Sequence, residues 1–288
     1  MDLSILVPSY NTKQLTLRCV RSIVETLAKS SLSYEIILSD NASDDGTIAL
    51  LDKKYPQVKK ILNKKNVGYG VANNIGIKMA KGTYVLLLNS DIEALNHSIE
   101  SLVSFAKSHP RAFVGGKLFN EDGSAQPSCG PMFTPWNVFL MLFAKADYLG
   151  VTRSSPEVAQ RVAWVSGACL IGTRTAFLEV GLFDEAIFMY MDEIDFLYRA
   201  AKKGYSVYFT PESRFIHTGA ASSGSRRAPV LNIFRGLLYF YHKHRNASDI
   251  SLIKYMLVLK AKLAILYGTL ANKREMVQTY EQALNLVV

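Results

Sequence analysis

Cysteine is scarce in this chain of 288 residues, which contains only three. Cys19, Cys129 and Cys169 lie far apart in the sequence and form no CxxC pair. Such spacing predicts neither a disulfide framework nor a zinc site, and a reducing cytoplasm is the expected location. The first residues also lack the basic start and the long apolar run of a signal peptide, so none is expected.

A long apolar run without charges is missing as well. The segment 252–270 is almost long enough to cross a bilayer, but Lys254, Lys260 and Lys262 interrupt it. We therefore predict a helix that lies on a membrane surface, with a helix packed on the protein or in a dimer as the alternative.

Acidic residues are few in the C-terminal third. Between residues 199 and 262 there are twelve Lys or Arg but two acids, so this window carries +10, whereas the rest of the chain sums to −1. A basic region of this kind predicts a polyanionic partner, which can be a nucleic acid, a phosphorylated substrate or an anionic membrane. The sequence shows no recognised nucleic-acid-binding motif, so nucleic acid is not the expected partner.

The first hundred residues alternate between strand and helix patterns. Continuous apolar runs predict strands at 3–7, 34–39, 58–62 and 84–88, and helical patterns follow each of them. Such alternation predicts an α/β fold with a mainly parallel, Rossmann-like sheet between two layers of helices. Further strands are predicted at 113–119, 162–171 and 205–209, with a helix from about Asp192 to Gly204 and helices up to the C-terminus.

A short polar loop, Asn89-Ser90-Asp91, follows the fourth apolar strand directly. Open α/β sheets bind ligands beyond the carboxyl ends of their strands, so Asp91 is expected where a metal-bound phosphate can sit. The same segment also fits an ordinary turn or a helix N-cap before Ile92 and Glu93.

Two further polar loops follow the first and second strands. In the first loop Pro8 is expected to end the strand, and the ring of Tyr10 can stack on a nucleobase. The second loop, 40–47, has six residues out of eight whose side chains accept hydrogen bonds, more than one N-cap requires. We interpret it as a loop that holds a base N–H group or ribose hydroxyls.

The third loop, 66–76, is rich in glycine and asparagine. It is similar to the dinucleotide motif G-x-G-x-x-G, but Asn73 replaces the last glycine and the loop follows the third strand instead of the first. This argues against a dehydrogenase. Gly70 still permits close backbone approach to an anion at a helix N-terminus, and Asn73 can bond a sugar or a base.

The ordered set of motifs resembles a known family. VPSYN, DNASDDGT, NVGYGVANN and LLLNSD resemble the nucleotide-binding half of an inverting family 2 glycosyltransferase with the GT-A fold, and WVSGAC, GLFDE and YMDEID resemble its acceptor-side motifs. The likeness covers about residues 2 to 217, and the most similar subgroup is that of bacterial rhamnosyltransferases.

The resemblance implies a GT-A domain at 1–229, with a nucleotide-binding half at 1–111 and an acceptor half at 112–229, before a helical region at 230–288. It implies transfer of rhamnose from dTDP-rhamnose, with inversion, to a saccharide or lipid-diphosphate-linked acceptor in bacterial surface polysaccharide synthesis. The alternatives are another donor, UDP-hexose or UDP-galactofuranose, and a non-catalytic module that binds sugar nucleotides. A peripheral position at the inner membrane face is expected, with the C-terminal helices in contact with the membrane. Alternatively, these helices form the interface of a homodimer.

In the resembled family the last aspartate of the triplet binds Mg²⁺ or Mn²⁺ that bridges the nucleotide diphosphate, which assigns this role to Asp91, with His217 as a further ligand. Asn89 departs from the fuller Asp-x-Asp form, so tight metal binding without nucleotide is not expected. Inversion needs a carboxylate that takes the proton from the acceptor hydroxyl. The resemblance assigns this base to Glu193, with Asp192 as the alternative; a charge that complements the helix dipole is the competing role for Asp192.

The remaining candidate residues are contacts of the two substrates. Trp164, Gly167 and Asp195 are candidate acceptor contacts, although Trp164 also fits a core residue and Asp195 a helix-dipole charge. Arg226 can close over the diphosphate or be solvated. The candidate nucleotide-sugar contacts are Pro8, Tyr10, Asn11, Asp40, Asn41, Asp44, Asn66, Gly70, Asn73, Asn89, Ser90, Asp91 and Arg226.

Overall fold

The computed structural model describes residues 1–219 and 227–288. In these ranges the strands are β1 (Leu3–Ser9), β2 (Tyr34–Asp40), β3 (Lys59–Leu62), β4 (Tyr84–Leu88), β5 (Ile92–Ala94), β6 (Ala112–Phe119), β7 (Ala125–Gln126), β8 (Cys129–Gly130), β9 (Gln160–Arg161), β10 (Trp164–Val165), β11 (Cys169–Thr173) and β12 (Ser206–His217). The helices are α1 (Lys13–Leu27), α2 (Thr47–Lys54), α3 (Tyr69–Met79), α4 (Ser98–Ser108), α5 (Pro135–Phe143), α6 (Arg174–Val180), α7 (Asp192–Lys202), α8 (Arg227–His244), α9 (Ala247–Leu270) and α10 (Arg274–Asn285).

One sheet forms the centre of the molecule, in the order β3-β2-β1-β4-β11-β6-β12-β5. β1 to β4 are parallel neighbours, as their continuous apolar runs predicted, and β6 and β12 also pair in parallel. β11 is antiparallel to β4 and β6, and β5 is antiparallel to β12. The sheet is therefore mixed and mostly parallel, which confirms the α/β prediction.

The observed elements differ from the predicted ones at three places. Pro8 does not end β1 but lies within it opposite Ser39; it is tolerated because β1 pairs with β4 only as far as Leu6. The strand predicted at 162–171 is two strands, β10 and β11, because a turn closes between them where Cys169 N donates to Ser166 O. The segment after Asp91 is β5, which pairs with β12.

The C-terminal helices pack into the same core as the sheet. Leu237, Phe240 and Leu257 of α8 and α9 belong to one hydrophobic cluster with Leu6 of β1 and Phe113 of β6. The division at residue 229 thus stays a prediction, since these helices bury apolar area against the domain before them. In the described ranges, no helix combines the length and the apolarity that crossing a membrane requires.

A glycine allows α8 to approach the start of α7. A Cβ atom at Gly236 would lie 2.8 Å from Cβ of Met191 and 3.2 Å from the carbonyl oxygen of Tyr190. Tyr190 and Met191 both have a φ of 66°, in the left-handed region that non-glycine residues rarely adopt. The turn that precedes α7 is therefore strained and is covered by α8 at contact distance.

A larger side chain at Gly236 is expected to destabilise the protein. Gly236→Val should lower the free energy of unfolding by about 2 kcal/mol, because the added atoms overlap Met191 in a closely packed contact. Arg235→Val adds the same β-branched side chain at the exposed neighbouring position and should cost less than about 1 kcal/mol. Urea denaturation of both variants checks this, and equal losses would mean that helix propensity, not the contact with Met191, sets the cost.

Candidate active site

Two segments that are far apart in the sequence meet at the carboxyl end of β4. A short loop leads from β4 through Asp91 into β5, and β5 pairs antiparallel with the end of β12, so that Ile92 lies opposite His217. Nε2 of His217 lies 3.3 Å from Oδ1 of Asp91 and 3.4 Å from Nδ2 of Asn89. The structure therefore brings together the two residues predicted as metal ligands.

The imidazole of His217 is oriented by Gln126, which the sequence analysis did not single out. Nε2 of Gln126 donates to Oδ1 of Asn120 and to the carbonyl oxygen of His217, over 2.9 and 3.2 Å. This fixes Oε1 of Gln126 as the acceptor that lies 2.6 Å from Nδ1 of His217. Nδ1 then donates to Gln126, and Nε2 faces Asp91 and Asn89.

The two residues form a candidate site for a divalent cation. The Asp91 carboxylate oxygen and Nε2 of His217 lie 3.3 Å apart, close enough to ligate one cation together, or to form an ion pair when the imidazole is protonated. Within the described residues, no group of three or more His, Cys, Asp or Glu is arranged to hold a metal ion. Two protein ligands are too few for Mg²⁺ or Mn²⁺, so oxygens of a nucleotide diphosphate and water would complete the coordination.

The second loop contains an unsatisfied carboxylate. Asp40 is buried at the end of β2, where Oδ2 accepts a hydrogen bond of 2.9 Å from Ser43 N. Oδ1 of Asp40 is buried and has no hydrogen-bond partner among the residues that the structure describes. A buried acceptor without a donor is costly, so a ligand N–H or O–H at this position would be stabilising. The position agrees with the predicted contact of Asp40 to a base or a ribose.

Asn11, Asn41 and Ser90 connect the loops to one another. Oδ1 of Asn11 accepts from Asp44 N at 2.9 Å, and Oδ1 of Asn41 accepts from Nδ2 of Asn63, also at 2.9 Å. Ser90 and Thr12 share a hydrogen bond of 3.0 Å between their hydroxyl groups. These hydrogen bonds join the loops within the protein, while Asn11 and the carboxylate of Asp44 are exposed and Tyr10 is half-buried.

The third loop is held by its own side chains and by the segment before α7. Oδ1 of Asn66 accepts from Gly68 N at 3.0 Å, and Tyr69 N donates to the carbonyl oxygen of Phe188. Gly70 lies close to Phe183, since a Cβ atom at Gly70 would be 3.1 Å from Cβ of Phe183. The absence of a side chain at Gly70 therefore allows close packing against Phe183. The expected approach of the Gly70 backbone to an anion stays a prediction.

Asn73 and Tyr69 lie where this loop meets the acceptor half. Nδ2 of Asn73 donates to the carbonyl oxygen of Tyr69, while its buried Oδ1 has no hydrogen-bond partner in the described part of the chain. The hydroxyl of Tyr69 donates to the carbonyl oxygen of Gly167 at 2.6 Å. Burial, followed by the charges of Asp192 and Glu193, raises the pKa of Tyr69 well above its usual value. The acidic pair therefore lies near the third loop.

The acidic pair at the start of α7 has two different environments. Asp192 is buried, and its Oδ2 has no hydrogen-bond partner within the described ranges, whereas Glu193 is half-buried. Burial, and next the neighbouring charge of Glu193, raises the pKa of Asp192 well above its usual value. Asp192 is therefore the harder of the two carboxyl groups to ionise, and Glu193 is the one that is partly exposed.

Asp195 does not face a substrate, contrary to the prediction that it contacts the acceptor. Its carboxylate is 0% exposed and bonds Arg199 Nε, Lys243 Nζ and His244 Nε2 over 2.8, 2.8 and 2.7 Å. Burial alone would raise the pKa of Asp195, but the hydrogen bonds from Lys243, His244 and Arg199 outweigh it and lower the pKa. Asp195 therefore joins α7 to α8.

Trp164 is also internal, so the core interpretation holds and the predicted stacking on a sugar is not possible in this structure. Its side chain is 2% exposed, and Nε1 donates to the carbonyl oxygen of Pro131 at 2.8 Å. Gly167 lies at the candidate site, next to the hydroxyl group of Tyr69. The predicted contact of Arg226 with the diphosphate falls outside the described residues.

Comparison with known proteins finds a matching family model and related enzymes. A family model described as glycosyl transferase family 2 matches residues 4–132. The N-acetylglucosaminyl-diphospho-decaprenol L-rhamnosyltransferase of Mycobacterium tuberculosis is 31% identical over an aligned length of 251, and the alignment covers 77% of this chain and 80% of that protein. A low-salt glycan biosynthesis hexosyltransferase of Haloferax volcanii is 24% identical over 72% of this chain and 64% of its own length.

A solved structure of GalNAc-T7 with UDP, GalNAc and Mn²⁺ superposes with a TM-score of 0.61 at 20% sequence identity. It covers 84% of this chain, and this chain spans half of its length, so the likeness concerns the fold. The identity and coverage of the mycobacterial relative, together with the matching family model, show that the chain belongs to glycosyltransferase family 2.

Proposed function

We propose that this glycosyltransferase moves rhamnose from dTDP-rhamnose, with inversion, to a saccharide acceptor on a lipid-diphosphate carrier. The proposed donor and acceptor follow the name of the mycobacterial relative and the resemblance of the motifs to rhamnosyltransferases. A UDP-hexose or UDP-galactofuranose donor is the alternative, since the related enzymes include glucosyl and N-acetylglucosaminyl transferases. The expected setting is the synthesis of bacterial surface polysaccharide.

The observation that supports a catalytic role most directly is the contact between Asp91 and His217. The acidic pair, Asp192 and Glu193, lies beside the third nucleotide loop and supplies a candidate base. Asp91 and Nε2 of His217 offer a cation site at the strand ends. Glu193 is half-buried at the N-terminus of α7, and its charge acts on Tyr69. A diphosphate site and a base of this kind are the two elements that an inverting sugar transfer requires.

In the proposed mechanism each residue has one task. Asp40 and Asn73 accept hydrogen bonds from the nucleotide sugar through oxygens that otherwise lack partners in the described part of the chain. Asp91 and His217 would hold Mg²⁺ or Mn²⁺, which supplies positive charge to the departing diphosphate. Glu193 takes the proton of the acceptor hydroxyl as that hydroxyl attacks the anomeric carbon opposite the diphosphate. Asp192, whose pKa is raised by burial, ionises less readily than an ordinary aspartate.

Substitutions of the acidic pair separate the two candidates for the base. Glu193→Gln should lower kcat by roughly two to four orders of magnitude with little change in donor affinity, because glutamine keeps the shape but accepts no proton. Asp192→Asn is the matched control and should keep most of the activity, because a buried neutral carboxyl group is replaced by a neutral amide. Release of nucleoside diphosphate, measured over a screen of donors, gives both values. An inactive Asp192→Asn with an active Glu193→Gln would assign the base to Asp192.

Asp91 should control metal-dependent donor binding. Asp91→Ala should abolish the binding of nucleoside diphosphate that depends on Mn²⁺, since it removes the charged ligand of the pair, whereas Asn89→Ala should weaken it less. Titration calorimetry with nucleoside diphosphate, with Mn²⁺ or with chelator, measures the difference. Equal binding by Asp91→Ala and the unchanged protein in Mn²⁺ would remove Asp91 from the site.

We further propose that the protein works on an anionic membrane surface, with α9 as the contact. α9 is apolar on two sides: Ile253, Leu257 and Ala261 are buried against the protein, while another stripe is exposed. Tyr255 is 66% and Leu270 80% exposed. An exposed apolar stripe of this length is an interaction surface. Its exposed residues are Leu252, Tyr255, Leu263, Leu266 and Leu270, with the half-buried Leu259 among them.

Charge favours lipid over a second copy of the chain as the partner of this stripe. The exposed charged residues beside it are Lys254 and Lys262, and the sequence has no acid between Asp249 and Glu275. Two stripes packed together would place lysines near one another without acidic partners, whereas anionic headgroups neutralise them. Exposed aromatic residues on α5, which packs against α9 through Lys260 Nζ and the carbonyl oxygen of Leu142, suit the same interface.

Vesicle binding tests the stripe. The protein should sediment with vesicles that contain phosphatidylglycerol, less with phosphatidylcholine alone, and less in high salt. Leu266→Glu should abolish sedimentation, because it places a negative charge in the apolar stripe. Leu178→Glu makes the same change at an exposed leucine of α6 and should bind normally. If Leu266→Glu instead splits a dimer in light scattering and leaves vesicle binding intact, the stripe is a dimer interface.

A further inference from the structure

α7 and α8 are joined by an ionic cluster, the Asp195 brace, which consists of Asp184, Asp195, Arg199, Lys243 and His244. Nζ of Lys243 contacts a carboxylate oxygen of Asp195 at 2.8 Å and one of Asp184 at 2.5 Å. Arg199 also donates from Nη1 and Nη2 to the carbonyl oxygens of Val180 and Leu182. The brace thus connects α7, α8 and the segment between α6 and α7.

Lys243 is the residue of the brace that bridges two carboxylates. Arg199 and Asp195 are one helical turn apart on the same helix, so their ion pair cannot hold α7 against another element. Asp184 also accepts a hydrogen bond of 2.8 Å from the hydroxyl of Tyr239 on α8. Burial would raise the pKa of Asp184, but Lys243, a backbone amide and Tyr239 outweigh it and lower the pKa to about 2.

The cluster lies within one turn of the proposed base. Glu193 and Asp195 both belong to the first turn of α7, and the residues before them, Tyr190 and Met191, hold positive φ angles. A strained turn keeps its conformation only if its surroundings hold it. α8 supplies these surroundings through the close approach of Gly236 to Met191 and through the contacts of Lys243 and His244 with Asp195.

We propose that Lys243 is a positioning residue that fixes the N-terminal turn of α7 and so aims Glu193 at the acceptor hydroxyl. Its ammonium group bonds Asp184 and Asp195 at the same time, which holds the chain on both sides of the strained turn. Misplacement of a catalytic group by about 1 Å can lower a rate by a factor of about a hundred. Lys243 touches no substrate and acts on the reaction only through α7. This proposal rests on the proposed role of Glu193.

The test compares three variants with the unchanged protein. Lys243→Met removes the charge but keeps the length of the side chain, and Arg199 and His244 still face Asp195, so the fold should persist. Lys243→Arg keeps the charge. Lys202→Met removes an exposed lysine from α7 itself and is the matched control. We expect Lys243→Met to lower kcat about tenfold to a hundredfold with an unchanged donor KM. Lys243→Arg should restore most of the rate, and Lys202→Met should change neither constant.

Hydrogen exchange gives a readout that does not need activity. Amides at 192–196 should exchange faster in Lys243→Met than in Lys202→Met, while exchange in β1 and β4 stays the same. An unchanged kcat, or faster exchange throughout the protein, would overturn the positioning role. If the protein without substitutions released nucleoside diphosphate from none of the donors tested, the proposed function would fail. Hydrogen exchange at 192–196 would still decide whether Lys243 fixes this turn.

Discussion

The pairing of β5 with β12 is the interaction on which the site depends. β4 delivers Asp91 to the edge of the sheet where its strands end, but a single carboxylate there holds neither a metal nor a diphosphate. Because β5 turns back and pairs antiparallel with the end of β12, Ile92 lies opposite His217, and the amide of Thr218 donates to the carbonyl oxygen of Asp91. The ladder thereby sets the separation of the two proposed ligands, and Gln126 of β7 then fixes which imidazole nitrogen faces Asp91.

Burial gives different roles to carboxylates that are neighbours in the sequence. Asp192, Glu193 and Asp195 all belong to the first turn of α7, where each would complement the helix dipole. Asp195 is enclosed with two cations and a histidine, which lower its pKa, Asp192 is enclosed without a cation, which raises its pKa, and Glu193 is half-buried. The helix therefore has one carboxylate that joins it to α8, one that is hard to ionise, and one that is partly exposed and is the proposed base.

The positions of the first four strands and of the polar loops after them could be predicted, because apolar runs and the rule for strand ends act over short distances in the sequence. The loops predicted around Asp40 and Asp91 do lie at strand ends, whereas Asn73 lies within α3. What could not be predicted depends on partners distant in sequence: β5 needs β12, Gln126 lies 91 residues from His217, and the carbonyl group that binds Trp164 lies 33 residues away. A two-residue strand such as β7 leaves no periodic pattern to detect.

In the basic C-terminal third, the net charge counted from the sequence differs from the charge that the protein exposes at its surface. The window of +10 includes Arg199 and Lys243, whose charges neutralise Asp195 and Asp184 inside the protein. It also includes Lys260, which donates to a backbone carbonyl of α5. The charge available to an external anion is therefore smaller than the sequence indicates. In the membrane contact that we propose, only two exposed lysines flank the stripe on α9, so apolar contact would supply much of the binding free energy and the lysines would select anionic lipid.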